Sequence, residues 1–472
     1  MKKSLAFINP PGPGKVYRSM TCTYVSKANY IWQPQDFINL SAGIPPDRET
    51  VLIDCIADGL TEADVFAGLR SAAPEVAVTA VSSIVYDADM RFIKRLREHF
   101  PETRILALGD VFLEPYFWGR GLEHADALIL NSLDVDFNNY LETGSSMSRN
   151  LILKNDIQRQ KAGNQQALSQ KEPPKKVSIG VPRHEVFLNR KYRFPFSRSY
   201  LYSTVTAQFG CLFRCGYCSQ SKIPVAYRDY TEVVDEVHGI RRLGVRDLFW
   251  GDFSFGFPRD NAFRLLEELT RSDARMRWAC YANPSIIDRE LLGMMKEAGC
   301  HTVIVGIEDE DFSLLNQRYD RTLTKDRLIA FCGDCSGLGI RVCGDFIIGL
   351  NNAPEAVQRM TDFAGRLKLD YASFNIFTVL FGSRLREEMV GEKMLDPCSV
   401  GFDTSGTFGN GLERLIGLRN RAVRSFYMRP SYILKRIAGV RGVEELVIQA
   451  QEMVAMIGNI VSSERRTGGR SV

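Results

Sequence analysis

The sequence predicts an α/β protein with two mostly parallel sheets and a helical C-terminal extension. Strand and helix patterns alternate over the first 150 residues, alternate again at a longer period after residue 200, and give way to helical patterns in the last seventy residues. Such alternation favours parallel sheets covered on both faces. We therefore predict a Rossmann-like domain at 1–150, a linker and lead-in at 151–200, a partial (β/α)6 TIM barrel at 201–400 and a helical domain at 401–472.

The N-terminal pattern is that of a doubly wound sheet, whose ligands bind beyond the carboxyl ends of the strands. No G-x-G-x-x-G follows the first strand, so a dinucleotide fingerprint is missing. Helices are predicted around Thr61–Ser71 and Ala88–His99. The predicted strands are Leu5–Ile8, Val51–Asp54, Val76–Val81, Ile105–Leu108 and Ala127–Leu130.

A polar segment separates this domain from the second alternating region. Residues 154–193 are rich in Gln, Lys and Pro, which is typical of a linker. Beyond it, helices such as Asp260–Arg271 and Arg289–Ala298 separate six strands, and β/α barrels carry their functional groups at the strand carboxyl ends. The predicted barrel strands are Val205–Gln208, Asp247–Trp250, Met276–Tyr281, Thr302–Gly306, Val342–Ile348 and Ala372–Phe377.

Composition places the chain among ordinary globular proteins. Of its 472 residues 25% are charged and 45% are apolar, and the net charge of +4 gives no support for a nucleic-acid partner. No apolar run approaches the roughly 20 residues that span a bilayer. Asn9-Pro10-Pro11 cuts short a signal-like start, so we expect a cytoplasmic location, where the eleven cysteines would be reduced.

Three cysteines carry the main chemical signal. Cys211, Cys215 and Cys218 have the spacing C-x3-C-x2-C directly after a strand-like run at 202–206. If they bound a [4Fe–4S] cluster, one iron would have no protein ligand. The alternatives are a zinc site and apolar packing on one helix face. Gly210 and Gly216 disfavour a continuous helix, and residues 219–222 offer no fourth Cys or His for zinc.

A second cysteine group is ambiguous. Cys332 and Cys335 form another C-x2-C with Cys343 nearby, which could suggest an auxiliary cluster. Their spacing with neighbouring apolar residues is helical, and Cys343 falls in a predicted strand. We therefore favour packing over a second cluster.

The cysteine spacing, with Tyr217 just before the last cysteine, resembles the signature of the radical S-adenosylmethionine (SAM) enzymes. In that family the open iron is chelated by the amino and carboxylate groups of SAM, and reduction of the cluster cleaves SAM to a 5′-deoxyadenosyl radical. The resemblance implies SAM contacts at Tyr217, Gly251, Asp252, Glu308, Ile348 and Asn375. For Asp252 the alternative is a turn or N-cap role.

A Rossmann-like domain before such a barrel, opening with Asn9-Pro10-Pro11, resembles the cobalamin-binding branch of that superfamily. The branch includes the anaerobic magnesium-protoporphyrin ester cyclase, hopanoid-associated enzymes and many C- and P-methyltransferases. Departures from its pattern at 109–111 and 130–132 leave a domain without cobalamin as the alternative. The resemblance implies possible cobalamin contacts at Asn9, Pro10, Ser83 and Gly109.

The leading interpretation is a radical SAM enzyme that functionalises an unactivated carbon by methyl transfer or by skeletal rearrangement or cyclisation. The alternatives are a non-catalytic iron–sulfur or corrinoid sensor or carrier, and a zinc-dependent nucleic-acid-binding protein. We expect a small-molecule substrate, anionic or lipid-like, and a reductant such as flavodoxin or ferredoxin. Residues 419–436 interleave cations with aromatics, and 447–460 follow as an apolar-rich helix. This pattern predicts either docking of an anionic or lipid-like substrate or of a membrane surface, or helices packed on the barrel.

Overall fold

The computed structural model describes residues 4–28, 30–133, 137–146, 148, 150–156, 173–189, 191–272, 275–351, 355–401, 412–438 and 442–468. The centre of the predicted linker, 157–172, lies outside these ranges. The strands are β1 (Ser4–Asn9), β2 (Val16–Tyr17), β3 (Tyr24–Val25), β4 (Glu49–Asp54), β5 (Val76–Val81), β6 (Arg104–Gly109), β7 (Ala127–Ile129), β8 (Leu151–Leu153), β9 (Lys175–Val177), β10 (Tyr202–Val205), β11 (Gln208–Phe209), β12 (Ala226–Arg228), β13 (Asp247–Trp250), β14 (Arg277–Tyr281), β15 (Cys300–Glu308), β16 (Arg341–Ile348) and β17 (Tyr371–Ile376).

Helices separate most of the strands, as the predicted α/β alternation requires. They are α1 (Gln35–Ser41), α2 (Cys55–Asp58), α3 (Glu62–Ala72), α4 (Tyr86–His99), α5 (Trp118–His124), α6 (Phe137–Thr143), α7 (His184–Phe187), α8 (Tyr230–Arg242), α9 (Arg259–Arg271), α10 (Arg289–Glu297), α11 (Phe312–Tyr319), α12 (Lys325–Leu338), α13 (Ala356–Arg366), α14 (Arg384–Gly391), α15 (Glu413–Tyr427), α16 (Pro430–Ala438) and α17 (Val443–Gly468). None of these helices is long and apolar enough to cross a membrane.

The N-terminal sheet has the predicted doubly wound form. Its strand order is β4-β1-β5-β6-β7-β8, and every pair is parallel except β7 with β8. Strands β1 and β5 are buried along their whole length because apolar cores cover both faces of the sheet. The short antiparallel strand β8 was not predicted, since three residues carry too little pattern to be recognised.

The second sheet is the predicted six-stranded partial barrel. Its order is β10-β13-β14-β15-β16-β17, parallel throughout. The first strand was predicted at Val205–Gln208 but lies at Tyr202–Val205, and β11 instead pairs antiparallel with β12. The Asp252 carboxylate accepts the N–H of Ala207 at 2.8 Å, so the chain leaves the sheet before Gln208.

A segment that we call the strap, residues 10–34, joins the two sheets. Its Gln33 side chain donates to the carbonyl of Tyr202 on the first barrel strand at 3.2 Å and accepts from the Thr204 N–H at 2.8 Å. The backbone of Ile31 pairs with Arg193 of the lead-in. The strap therefore ties the N-terminal domain to the first strand of the barrel.

Candidate functional site

The three predicted metal-binding cysteines lie on one loop between β11 and β12. Gly210 opens the loop with φ of +73°, and a side chain there would meet the Pro224 carbonyl at 2.6 Å. Helix α11 also fixes the loop, because the Gly216 N–H donates to the carbonyl of Tyr319, the last residue of that helix, at 2.9 Å. The chain therefore fixes this loop with backbone geometry that a continuous helix would not allow.

The thiols of this loop lie close enough to affect one another. Burial, together with the neighbouring cysteines, raises the pKa of both Cys211 and Cys218 above the usual thiol value. Within the described ranges, no three Cys, His, Asp or Glu side chains converge as ligands of a single metal ion. The thiolates of an iron–sulfur cluster bind separate iron atoms, so its cysteines need not converge on one point.

Two polar side chains contact the cysteine sulfurs. The Ser254 hydroxyl lies 3.3 Å from the Cys211 sulfur, and a guanidinium nitrogen of Arg321 lies 3.8 Å from the Cys215 sulfur. Hydrogen bonds and positive charge beside thiolates stabilise their ionised form and tune the potential of a bound cluster. Arg321 was missed in the sequence, where an arginine 13 residues after Glu308 forms no recognisable pattern.

Glu308, a predicted SAM contact, lies beside the cysteine loop at the carboxyl end of β15. It is buried and has φ of +67°, a left-handed conformation that is uncommon outside glycine. Burial raises the pKa of its carboxyl group, while Arg321 and the Tyr217 hydroxyl counteract that rise. Tyr217 packs in one cluster with Cys215. Glu308, Tyr217 and Arg321 thus form a buried polar group next to the cysteine sulfurs.

Gly251 and Asp252 both accept hydrogen bonds from other parts of the chain. The Gly251 carbonyl accepts from the Gln35 side-chain amide at 3.3 Å, and Asp252 is 2% exposed with its carboxylate bound to the Ala207 N–H. Burial raises the pKa of Asp252 to about 7. Both acceptors are therefore engaged within the protein, in agreement with the turn role that was the alternative for Asp252.

Strand alternation places the remaining predicted SAM contacts on different faces of the sheet. Ile348 is 1% exposed in the core between the barrel and its outer helices, which counts against a contact between its side chain and a ligand inside the barrel. Its neighbour Ile347 packs beside the cysteine loop instead. Asn375 lies opposite Ile347 in the strand register and is half-buried.

A lysine of the strap reaches this inner face of the barrel. The Lys27 ammonium donates to the Phe374 carbonyl at 3.1 Å and to the side-chain oxygen of Asn375. Nearby Asp345 has its pKa raised to about 7, first by burial and then by the Glu308 charge. Sequence reasoning missed Lys27, because its contact depends on how the strap folds across the barrel.

The predicted cobalamin contacts lie at the carboxyl edge of the N-terminal sheet, under the strap. Asn9 donates to Asp54 at 2.9 Å and accepts from Arg18 at 3.1 Å. The Ser83 hydroxyl donates to Asp110 at 2.5 Å, and Thr23 of the strap donates to the same carboxylate at 3.0 Å.

Gly109 and Pro10 complete the predicted set at this edge. Gly109 is needed because a side chain there would overlap the Val81 carbonyl. Pro10 begins the strap. A cavity lined by Asn9 and by strap residues including Tyr17 and Tyr24 measures about 10 Å³, which is room for about one water.

The second cysteine group is divided between two cores. Cys332 and Cys335 are buried on α12, in the core outside the barrel, while Cys343 packs with Tyr202 and Phe249 in a different cluster. Because opposite faces of the sheet separate these thiols, their placement agrees with packing.

Comparison with known proteins identifies the second domain. Residues 205–364 match the family model described as the radical SAM superfamily. An uncharacterized methyltransferase of Pyrococcus horikoshii is 23% identical over 424 residues, which cover 86% of this chain and 90% of that protein.

Solved structures match nearly the whole chain. The radical S-adenosylmethionine methyltransferase TsrM of Kitasatospora setae, with cobalamin and a [4Fe–4S] cluster bound, has a TM-score of 0.65 and 15% identity over 98% of this chain and 100% of its own. A second TsrM structure, with tryptophan substrate and a SAM analogue, has a TM-score of 0.64 and 15% identity over 97% of this chain and 99% of its own.

The cobalamin-dependent S-adenosylmethionine radical enzyme OxsB, with aqua-cobalamin and S-adenosylmethionine bound, has a TM-score of 0.62 and 13% identity over 97% of this chain and 72% of its own. At identities this low, the likeness shows a shared fold. Residues 205–364 thus form a radical SAM domain, and the fold of the chain is that of TsrM and OxsB.

Proposed function

We propose that this protein is a radical SAM enzyme that cleaves SAM reductively and transfers a methyl group to an unactivated carbon of a small molecule. The observation that carries the proposal is the placement of three cysteines on one loop, next to the buried group of Glu308, Tyr217 and Arg321. Methyl transfer is favoured over rearrangement because the Pyrococcus relative and TsrM are both named methyltransferases. Nothing in the comparisons supports a non-catalytic sensor or carrier.

The cysteine loop fits a [4Fe–4S] cluster. Cys211, Cys215 and Cys218 would supply the thiolates, and a cluster bound in this way supplies reducing electrons and an open iron for SAM. The Arg321 guanidinium would place positive charge beside the Cys215 sulfur, and the Ser254 hydroxyl would donate to the Cys211 sulfur. Such contacts tune the potential of a bound cluster.

The buried polar group fits the amino acid end of SAM. The Glu308 carboxylate can accept hydrogen bonds from an ammonium or a ribose diol, and Tyr217 and Arg321 lie near enough to lower its pKa. Ile347, rather than Ile348, presents an apolar side chain on the same side of the sheet as the cysteine loop, where adenine needs a flat apolar contact. Asn375 adds a polar group on that side.

Cobalamin is the third cofactor that the fold implies, but three of its four predicted contacts, Asn9, Ser83 and Gly109, are engaged within the protein. Asn9 hydrogen-bonds with Asp54 and Arg18, and Ser83 donates to Asp110. A side chain at position 109 would overlap the Val81 carbonyl. We therefore propose that cobalamin binds to the N-terminal domain, and we assign no binding residue to it.

We infer a cytoplasmic enzyme reduced by a protein of the flavodoxin or ferredoxin type. Lys27, Asp345 and Asn375 lie on the inner face of the barrel, near the buried polar group that contains Glu308. These polar side chains suit a substrate with charged or polar substituents.

The proposal is tested by SAM cleavage in the cysteine variant Cys215→Ala. The protein is reconstituted with iron and sulfide without oxygen and reduced with dithionite, and 5′-deoxyadenosine and S-adenosylhomocysteine are measured. We expect the wild type to consume SAM and the variant to lose this activity. Cys332→Ala is the control, because that buried thiol lies on α12 away from the loop and should retain cleavage. Full cleavage by Cys215→Ala, or stoichiometric zinc without labile sulfide, would contradict the proposal.

A further inference from the structure

Exposed apolar side chains concentrate on the C-terminal helices. Among the described residues, fifteen large apolar side chains are exposed, and ten of them lie between 428 and 461. Soluble proteins rarely expose apolar patches of this kind unless the patch meets a partner. We define the outer face as Val443, Leu446, Val447, Ala450, Met453, Val454, Ile457 and Val461 of α17.

Helix α17 is apolar on two sides. Its inner side is covered, since Ile448 and Ile460 are buried and Glu445 pairs with Arg341 of the barrel at 3.0 Å. Its outer side is solvent-exposed, with Val443 79% and Val454 67% exposed. A helix that is apolar nearly all round is normally covered on both sides. The outer face therefore lacks a cover within the part of the chain that the structure describes.

The spacing of the apolar residues on the outer face indicates which kind of structural element would pack on it. Val443, Ala450 and Ile457 repeat every seven residues, and Leu446 and Met453 lie three residues after the first two. This is the a and d pattern of helices that pack side by side. Val447, Val454 and Val461 widen the stripe at the next position. A second helix is the element that fits this pattern.

A membrane surface fits the outer face less well. Helix α17 contains four glutamates and no aromatic residue, and its two cations, Arg465 and Arg466, lie at its C-terminal end, beyond the outer face. Helices that lie on anionic membranes carry Lys and Arg on the polar side and aromatic or large apolar anchors on the other. The charge of this segment therefore disfavours a lipid partner.

We propose that the outer face of α17 pairs with the same face of a second copy of this chain, in an antiparallel arrangement about a two-fold axis. In that register Leu446 lies opposite Ile457 and Ala450 lies opposite Met453, so the stripe is complementary to itself, as a two-fold interface requires. The stripe is about 27 Å long at 1.5 Å per residue. Covering it on both copies would remove roughly 1,000 Å² from water, near the lower end for specific interfaces.

The test is the solution mass of the full chain by light scattering and analytical ultracentrifugation over a range of concentrations. We expect twice the 53.3 kDa chain mass for the wild type. Met453→Glu places carboxylates near the axis and is expected to halve the mass. Gln451→Glu adds the same charge beside the outer face on the same helix and should leave the dimer intact.

A mixing experiment tests the proposed register. Met453→Glu and Met453→Lys should each be monomeric, and mixing them should restore the dimer, because the two 453 side chains lie about one helical turn apart near the axis. Circular dichroism and the absorption of the reconstituted cluster verify that the variants are folded. A monomeric wild type, or a dimer that persists in Met453→Glu, would overturn the proposal. So would binding of the wild type to phosphatidylglycerol vesicles that Met453→Glu abolishes, since a lipid surface would then be the partner.

Discussion

At the scale of single residues, the buried carboxyl group of Asp252 makes stability depend on pH. Burial raises its pKa to about 7 in the folded protein, above the ordinary value of 3.8. The folded state therefore holds the proton that the unfolded state releases between these values. Stability from this group is fully present below about pH 4 and is lost as pH rises through about 7.

We predict that Asp252→Asn removes this dependence. The free energy of unfolding of the variant, relative to the wild type, should rise by roughly 2–4 kcal/mol between about pH 4.5 and 8. Urea denaturation at a series of pH values measures the difference. Asp229→Asn is the control: Lys176 lowers the pKa of Asp229 to about 2, so the variant should not change the slope in this range. If the difference in free energy of unfolding between Asp252→Asn and the wild type does not change with pH, the raised pKa of Asp252 is contradicted.

Site residues were predictable where the signal is local. Cys211, Cys215 and Cys218 lie within eight residues, and their spacing, together with Gly210 and Gly216, predicted one metal site. Arg321 and Lys27 reach the same region from distant segments, and only the folded chain brings them there. Ile348 was predicted to face adenine, but the pleat of β16 turns Ile347, and not Ile348, toward the cysteine loop, since a shift of one residue reverses the face.

At the scale of elements, α1 docks on the barrel through a contact that leaves no space for a side chain at Gly251. The Gln35 amide donates to Thr206 at 2.9 Å and to the Gly251 carbonyl at 3.3 Å. A side-chain carbon at position 251 would overlap the Gln35 amide. The glycine therefore allows the N-terminal domain to approach the ends of β10 and β13.

We predict that Gly251→Ala destabilises the protein by about 1–3 kcal/mol, because Gln35 must leave its partners. Combining it with Gln35→Ala should relieve most of this cost, so the two effects should be clearly non-additive. Chemical denaturation of the two single variants and the double variant completes the cycle. Additive effects would show that the glycine is needed for another reason.

Most elements were predictable because their patterns are long. The predicted strand Asp247–Trp250 is confirmed without change, and the other buried barrel strands, β10 excepted, agree within two residues at each end. The first barrel strand was predicted three residues late, and just after its actual end the Ala207 N–H donates to the distant Asp252 carboxylate. The short hairpin β2–β3 of the strap carries too little periodicity to be predicted.

At the scale of the whole molecule, one buried ion pair links the N-terminal domain to the barrel. Arg386 of α14 is 0% exposed and donates to Glu114 at 2.9 and 3.1 Å, and it also donates to the Pro397 and Ser399 carbonyls. Its guanidinium lies 3.8 Å from the ring centre of Phe381, which itself contacts Phe117. The order of domains was predictable from the sequence, but the side chains that join them were not, since Glu114 and Arg386 are 272 residues apart.

We predict that Arg386→Met separates the unfolding of the two domains. Removing one partner of a buried pair leaves the other charge uncompensated, at a cost of about 3–5 kcal/mol, and this cost falls on the domain interface. Urea unfolding followed by tryptophan fluorescence and by the absorption of the reconstituted cluster should coincide in the wild type and diverge in the variant. Arg289→Met is the control, because its pair with Asp334 is exposed, lies within the barrel and should be worth at most about 1 kcal/mol. If the two probes still coincide in Arg386→Met, the coupling between the domains must be carried by the strap and its contacts with Tyr202 and Thr204.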